Sequence, residues 1–304
     1  MIEALYVETS SLCNLSCVYC YRTGRDYSSK NRNMPLGLFK KIVADCVRER
    51  EALFSERKPD IFLHSYGEPT LNPHLEEMVA TACGAQIFGQ IRFVSNLLAL
   101  APERYRAFFD AGLTGLYFSL DSLDPGHVSA TRRGTDLQRL LESVTVLAGD
   151  YADKLCPISV LTTVNKDELP RVGEFLHGLG MRTWNIQLLN TRKGRFGLDR
   201  DVVSRLKDEL LRRFSGMTIN FEEESIMACR QPFTTLEINA MGYLTPCCSM
   251  TNHDVTHFGN VAEASLAELC FGEAYVAFRE EFRTRQPKAC ANCPYYLARA
   301  ASPS

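Results

Sequence analysis

The sequence predicts an α/β protein: a partial (β/α)6 barrel of the TIM type, open on one side, followed by a smaller module of β-hairpin plus helix. Three observations carry that expectation. Across the first two-thirds of the chain, short β-rich apolar runs alternate with longer stretches whose apolar residues recur at spacings of three and four. Six such strand–helix units are visible, too few to close an eight-stranded barrel. Near residues 192–197 (RKGRFG) the alternation stops in a basic, glycine-rich stretch that reads as a linker and lacks the spacing of a phosphate loop. The expected division is residues 1–215 for the barrel and 216–304 for the second module.

Taken in order, the strand candidates are residues 5–9, 60–65, 91–95, 115–121, 158–164 and 183–189. The helical candidates between them are 36–54, 75–83, 103–111, 137–148 and 168–179, and a further helix is expected over 199–214. Beyond the linker, 233–239 and 243–245 alternate around Met241-Gly242, which reads as a hairpin turn, and 266–282 reads as helix. Parallel barrels place function at the C-terminal strand ends, so the polar residues just past each strand should converge on one cleft.

The bulk numbers narrow the class. At 304 residues, with 45% apolar and 23% charged residues, the chain reads as an ordinary soluble globular protein. A formal charge of −2 leaves no basic footprint for nucleic acid or an anionic membrane surface. No apolar run approaches a membrane span, and an acid at position 3 followed at once by a strand argues against a signal peptide. Twelve clustered cysteines then point to metal binding in a reducing cytoplasm rather than to disulfides.

The stretch TSSLCNLSCVYCYR sets Cys13, Cys17 and Cys20 in a C-x3-C-x2-C array directly after the first strand. Thiolate ligands select iron–sulfur clusters, zinc or copper(I). Three thiolates around four irons leave one iron open to a reactant, whereas a closed four-cysteine site does not. A zinc knuckle is the competing reading, but it needs a second ligand pair nearby, and Cys46 and His64 lack that spacing. With aromatic Tyr19 before the last cysteine, suited to a loop lying against a flat ring, the array resembles that of the radical S-adenosylmethionine (SAM) superfamily. The resemblance implies a [4Fe–4S] cluster whose open iron chelates SAM, which on reduction yields a 5′-deoxyadenosyl radical. The protein's part would be to hold SAM, aim the radical and exclude quenchers.

The same resemblance assigns the strand ends. His64-Ser65-Tyr66-Gly67-Glu68-Pro69 stands where the family carries Gly-Gly-Glu, with Tyr66 in place of the first glycine. It implies that Gly67 and Glu68 meet SAM, the Glu68 carboxylate facing its cationic amino group. From the residues alone, Gly-Glu-Pro followed by Asn72-Pro73 is also a turn into a helix. The further SAM-binding candidates are Ser95 and Asn96 after the third strand, Ser119 and Asp121 after the fourth, Arg132 or Arg133 beyond, and Thr163 and Asn165 after the fifth. Asp121 also reads as a helix cap, and the arginines as solvated surface. Gln187 and Asn190, near the sixth strand, are candidates for facing substrate.

Cys229, Cys247, Cys290 and Cys293 form a second group, C-x12-G-x4-C with a later C-x2-C. Paired cysteines in two pieces fit a zinc ribbon. The pattern also resembles the twitch domain, the shortened relative of the SPASM domain, and that resemblance implies an auxiliary [4Fe–4S] cluster held by these four residues. Cys248 directly follows Cys247, and neighbouring side chains on an extended backbone point to opposite faces. If Cys247 holds a cluster, Cys248 faces elsewhere, into a cleft between the modules or into apolar packing, the usual fate of a cysteine. Cys46, Cys83, Cys156 and Cys270 sit in apolar contexts and read as packing.

A thiol S–H bond is weaker than a C–H bond, so a substrate carbon radical can take hydrogen from Cys248. The expected activity is therefore a radical epimerase that inverts a sugar carbon of an aminoglycoside, of the neomycin C to neomycin B type, a function that the resemblance to twitch-domain enzymes implies. Glu222, Glu237 and Asp254 are the acidic candidates for binding a polyamine sugar. The alternatives are a dehydrogenase of an aminocyclitol alcohol, a modifier of ribosomal peptides, and a non-catalytic electron-carrying scaffold. The expected cofactors are SAM and two [4Fe–4S] clusters; the expected partners are the aminoglycoside and an electron donor such as flavodoxin or ferredoxin.

Overall fold

The computed structural model describes residues 1–23, 26–189, 198–221, 229–285 and 287–290. The first strand, β1 (Ala4–Val7), leads into the cysteine loop. The chain returns through α1 (Leu36–Arg48) and the short α2 (Arg50–Leu53) to β2 (Asp60–Phe62). Strand and helix then alternate through α3 (Leu75–Gly84), β3 (Ile91–Ser95), α4 (Pro102–Asp110), β4 (Gly115–Ser119), α5 (Pro125–Thr131), α6 (Leu137–Tyr151), β5 (Leu155–Leu161), α7 (Leu169–Gly178) and β6 (Thr183–Leu188). After α8 (Arg200–Arg213) and β7 (Thr218–Phe221) come α9 (Gln231–Thr234), β8 (Thr235–Ile238), β9 (Leu244–Thr245), α10 (Leu266–Phe271) and α11 (Glu273–Thr284).

The helices form where the apolar period is helical. In α1 that period buries Phe39, Ile42, Val43 and Cys46. In α6 it buries Leu140, Val144, Leu147 and Ala148, behind an Asp136 side chain that accepts a hydrogen bond from the Arg139 amide. The strands follow a period of two. Leu5, Val7, Ile61, Phe93, Leu116, Phe118 and Ile186 are fully or almost fully buried under the helices. Between them Tyr6, Phe62, Arg92, Tyr117, Ile158 and Asn185 remain partly exposed on the opposite face. Register sets these side by side, Tyr6 opposite Phe62, Phe62 opposite Arg92 and Ile158 opposite Asn185. They form the inner wall of the open barrel.

One nine-stranded sheet runs in the order β7-β6-β5-β4-β3-β2-β1-β8-β9, as a partial barrel that stays open among the described residues. It differs from the sequence expectation in several places, among them the helix expected over 36–54, which breaks at Glu49 into α1 and α2. A seventh barrel strand, β7, pairs in parallel with β6. The C-terminal hairpin joins the same sheet: all four residues of β1 pair in parallel with β8, and only β8 and β9 run antiparallel. An otherwise bare edge of β1 is thereby covered. The expected helix over 266–282 breaks at Gly272, whose extended backbone (φ −62, ψ 152) ends α10 and starts α11. The short α5 arises where Asp124 caps the His127 amide and Pro125 takes the first turn. The hairpin turn itself holds, with Gly242 at φ +87. The linker expected at 192–197 lies outside the described residues. Among the described residues no helix is long and apolar enough to cross a membrane.

Candidate functional site

The cysteine loop lies at the C-terminal end of β1 and is docked by its backbone. Ser16 N–H donates to the Arg133 carbonyl (3.0 Å), Val18 N–H to the Thr131 carbonyl (2.9 Å), and the Glu68 N–H to the Leu12 carbonyl (2.6 Å). Beneath the loop only glycine fits at position 67: a Cβ there would stand 2.2 Å from the Ser10 carbonyl oxygen and 2.6 Å from that of Leu12. Beside it, Tyr66 stacks on Tyr21 with ring centroids 5.8 Å apart.

Glu68, 2% exposed, is fully engaged by the chain. Its Oε1 accepts from the Thr70 hydroxyl (2.6 Å), the Thr70 amide (3.2 Å) and the Ser95 hydroxyl (2.9 Å), and its Oε2 from the Asn96 amide (2.7 Å). Burial raises the Glu68 pKa, and these hydrogen bonds oppose the rise. Asn96 Nδ2 donates onward to Asn14 Oδ1 (2.8 Å), inside the cysteine loop. Gly67, Glu68, Ser95 and Asn96 are thus brought together as the sequence suggested.

Asp121, Arg132 and Tyr19 also meet, chiefly with one another. The Tyr19 hydroxyl donates to Asp121 Oδ2; Arg132 Nε donates to the same oxygen at 2.5 Å, and the Val160 amide to Oδ1 at 2.7 Å. The Arg132 guanidinium stands 5.5 Å from the Tyr19 ring centroid. This network fixes Tyr19 over the mouth, and Asp121 serves as its anchor. Arg133 is exposed and contributes only its carbonyl. Thr163 is exposed as well, while its neighbours Thr162, Val164 and Asn165 line a small cavity with Tyr19 and Asp121. Ser119 is partly exposed at the end of β4, and Gln187 is exposed on β6 in the inward alternation with Asn185.

The hairpin carries Cys247 and Cys248 just past β9, whose Thr245 pairs with Glu237 of β8. Burial raises the Tyr6 and Tyr66 hydroxyls, and Cys248 adds to both shifts. Cys247 adds to that of Tyr66 and to that of Tyr275 on α11. Cys229 is partly buried and Cys290 buried; Cys293, Glu222 and Asn190 lie outside the described residues. Among the described residues no three Cys, His, Asp or Glu side chains are gathered as tightly as a single metal ion requires. Thiolates around a four-iron cluster stand farther apart than that. Burial pushes the Cys13 thiol up to about 11 and raises Cys17 too, a bias that a soft cationic centre would reverse by taking them as thiolate ligands. The donor set fits a cluster.

Of the acids expected to meet substrate, Glu237 alone is placed on the inner wall, in register with Tyr6. It is 1% exposed, and neither carboxyl oxygen has a hydrogen-bond partner among the described residues. Burial holds its pKa well above the usual carboxylate range; the nearby Ser65 hydroxyl opposes the rise, and the charge of Glu8 adds a lesser push upward. Asp254 is exposed and engaged elsewhere, accepting from the Ser28 amide (2.8 Å) and hydroxyl (2.6 Å). Sequence reasoning missed Glu8, which accepts from the Ala240 (3.1 Å) and Tyr66 (3.4 Å) amides and is pushed by burial up to about 7. It also missed His64, whose buried Nδ1 has no partner among the described residues and whose pKa burial lowers to about 4. The available signal was positional: Glu8 falls two residues after Tyr6 on an extended run.

Comparison with known proteins adds the family. The radical SAM superfamily pattern matches residues 7–176, and an iron–sulfur cluster-binding domain of the SPASM type matches residues 229–294. The chain is 23% identical, over 321 aligned positions, to a tungsten-containing aldehyde ferredoxin oxidoreductase cofactor-modifying protein of Pyrococcus furiosus, covering 96% of this chain and 87% of that one. It is 28% identical over 214 positions to GTP 3′,8-cyclase of Klebsiella pneumoniae, covering 69% of this chain and 62% of the cyclase. Among solved structures, Streptococcus suis SuiB bound to S-adenosylmethionine superposes with a TM-score of 0.72 at 15% identity, over 92% of this chain and 68% of SuiB. BtrN in complex with AdoMet and 2-DOIA superposes with a TM-score of 0.58 at 16% identity, over 93% and 87%. At these identities the structural likeness establishes the shared fold.

Proposed function

The chain belongs to the radical SAM superfamily, and from that premise we propose that it is an epimerase inverting a sugar carbon of an aminoglycoside, of the neomycin C to neomycin B type, with Cys248 as the hydrogen donor. The enzyme's cofactors are SAM and two iron–sulfur clusters. In this reading Cys13, Cys17 and Cys20 hold the barrel cluster, and Cys229, Cys247, Cys290 and Cys293 the second one, in a division at residues 215 and 216. SAM held there would supply hydrogen-abstracting radical chemistry once an electron arrived from a donor such as flavodoxin or ferredoxin. A reducing compartment such as the cytoplasm suits this chemistry.

The protein's own contribution is positional. Gly67 lets the cysteine loop settle on the strand ends, and Glu68, Ser95 and Asn96 brace it. Tyr19, held by Asp121 and Arg132, covers the mouth, and Ser119 and Thr163 complete the strand ends assigned to SAM. Cys248 then delivers its S–H hydrogen to the substrate carbon: an S–H bond breaks and a C–H bond forms, leaving sulfur one electron and one proton short of the thiol. The observation that carries the reading is the chain position of Cys248, next to Cys247 and just past β9, where Thr245 pairs with Glu237 of the inner wall.

The test is Cys248→Ala in the fully reconstituted enzyme, run in deuterated buffer with candidate aminoglycosides. The parent should give inverted product carrying solvent deuterium at the inverted carbon, and the variant no inverted product, any 5′-deoxyadenosine being uncoupled from inversion. Full epimerisation by the variant defeats the proposal. A ketone product formed equally by both proteins assigns the chain to alcohol dehydrogenation.

A further inference from the structure

We propose that Glu237, with Ser65 and Tyr6 around it, is a subsite for one primary ammonium group of the substrate. The proposal rests on the inner wall being the substrate-facing surface and deepens the reading above, because it names the functional group that is held. Both Glu237 oxygens and the Ser65 Oγ are buried without a hydrogen-bond partner among the described residues. Buried polar atoms are normally satisfied, and three orphans in one corner ask for a ligand. Three acceptors match the three N–H donors of an ammonium group; a guanidinium, with five donors in a plane, would leave some unmet.

The surroundings favour positive charge. The Tyr6 ring, beside Glu237 in register, stacks on Phe62 with centroids 4.5 Å apart and presents an aromatic face. Glu8 adds a second carboxyl nearby. Tyr66 and His64 after β2 and Cys248 from the hairpin loop complete the groups around the corner. Arg92 on β3 stands beyond Tyr6, facing Asp60 (3.8 Å) and the Tyr117 hydroxyl (3.2 Å). No ion pair among the described residues involves Glu237. Burial favours the protonated form of this carboxyl, and an ammonium group favours the carboxylate, so pairing draws a proton from Glu237 to solvent. Glu237 pairs across the hairpin with Thr245, three residues ahead of Cys248, so an amine held here lies on the strand pair that carries the thiol.

Titration calorimetry of the reconstituted, SAM-loaded enzyme tests this. The probes are cyclohexylammonium and an amino sugar linked to 2-deoxystreptamine, each in two buffers of different ionisation enthalpy. The parent should bind cyclohexylammonium with release of about one proton, whereas Glu237→Gln, which keeps the shape, should lose about tenfold or more in affinity and the proton release. Ser65→Ala should weaken binding by a smaller factor and keep the release. Equal affinity and unchanged proton release in Glu237→Gln, or no binding of cyclohexylammonium by the parent, overturns the subsite. Binding of cyclohexylammonium that depends on Glu237, with the amino sugar neither bound nor turned over, keeps the subsite and overturns the aminoglycoside reading. Cluster absorbance and thermal melting confirm that the variants are folded.

Discussion

Two buried carboxylates on the strands that flank β1 have opposite surroundings. Glu68, past β2, is 2% exposed and accepts four hydrogen bonds from Thr70, Ser95 and Asn96; Glu237, on β8, is 1% exposed and accepts none among the described residues. The chain supplies four donors to the first corner itself, so that corner is ordered before any cofactor arrives. It leaves the second corner open at a cost in stability, which is the signature of a place reserved for something else.

Four changes break or sharpen that contrast. The largest effect belongs to Glu68→Ala, which orphans the buried Asn96 and Thr70 amides and two hydroxyls; a loss of about 3–5 kcal/mol should appear in urea unfolding, together with loss of 5′-deoxyadenosine formation. Gly67→Ala attacks the same corner by volume, and with a Cβ 2.2 Å from the Ser10 oxygen the expected cost is ~3 kcal/mol, with poor loading of the barrel cluster seen in its absorbance.

Glu8 bridges the two corners and is read by pH. Its folded pKa of about 7 lies above the ordinary 4.5, so the stabilisation from holding its proton is complete below about pH 4.5 and is lost as pH rises through 7. Glu8→Gln should flatten the stability profile over that window by at most about 3 kcal/mol. The smallest effect is expected for Glu237→Met, within about 1 kcal/mol of the parent or more stable, because an orphaned acid gives way to an apolar group. A loss as large as that of Glu68→Ala would make Glu237 structural and erase the contrast.

Much of this was legible in the sequence, where the signal is local. The C-x3-C-x2-C array, the Gly67-Glu68 turn and the β3 to α7 alternation depend on neighbours within a few residues, and they stand where expected. What was hidden depended on strand ends or on distant pairing. The strand expected over 158–164 runs over Leu155–Leu161, so Thr163 falls in the turn beyond it and is exposed, while Thr162, Val164 and Asn165 line the cavity. Cys156 is buried, as its apolar run implied, and it also accepts from Asn185 Nδ2 at 3.2 Å, a partner that only the pairing of β5 with β6 supplies. The four residues of β7 are too few to show a period, and no local pattern announces that β8 will lie beside β1.

That last pairing governs how the two cysteine groups are spaced. The strand from which the first group springs is hydrogen-bonded, residue for residue over Ala4–Val7, to the strand that leads to Cys247. The spacing between the first cysteine group and Cys247 is therefore set by a ladder of backbone pairs and not by a tether. A chain cut ahead of residue 229 would turn β1 into a raw outer rail, prone to recruit a second molecule along it.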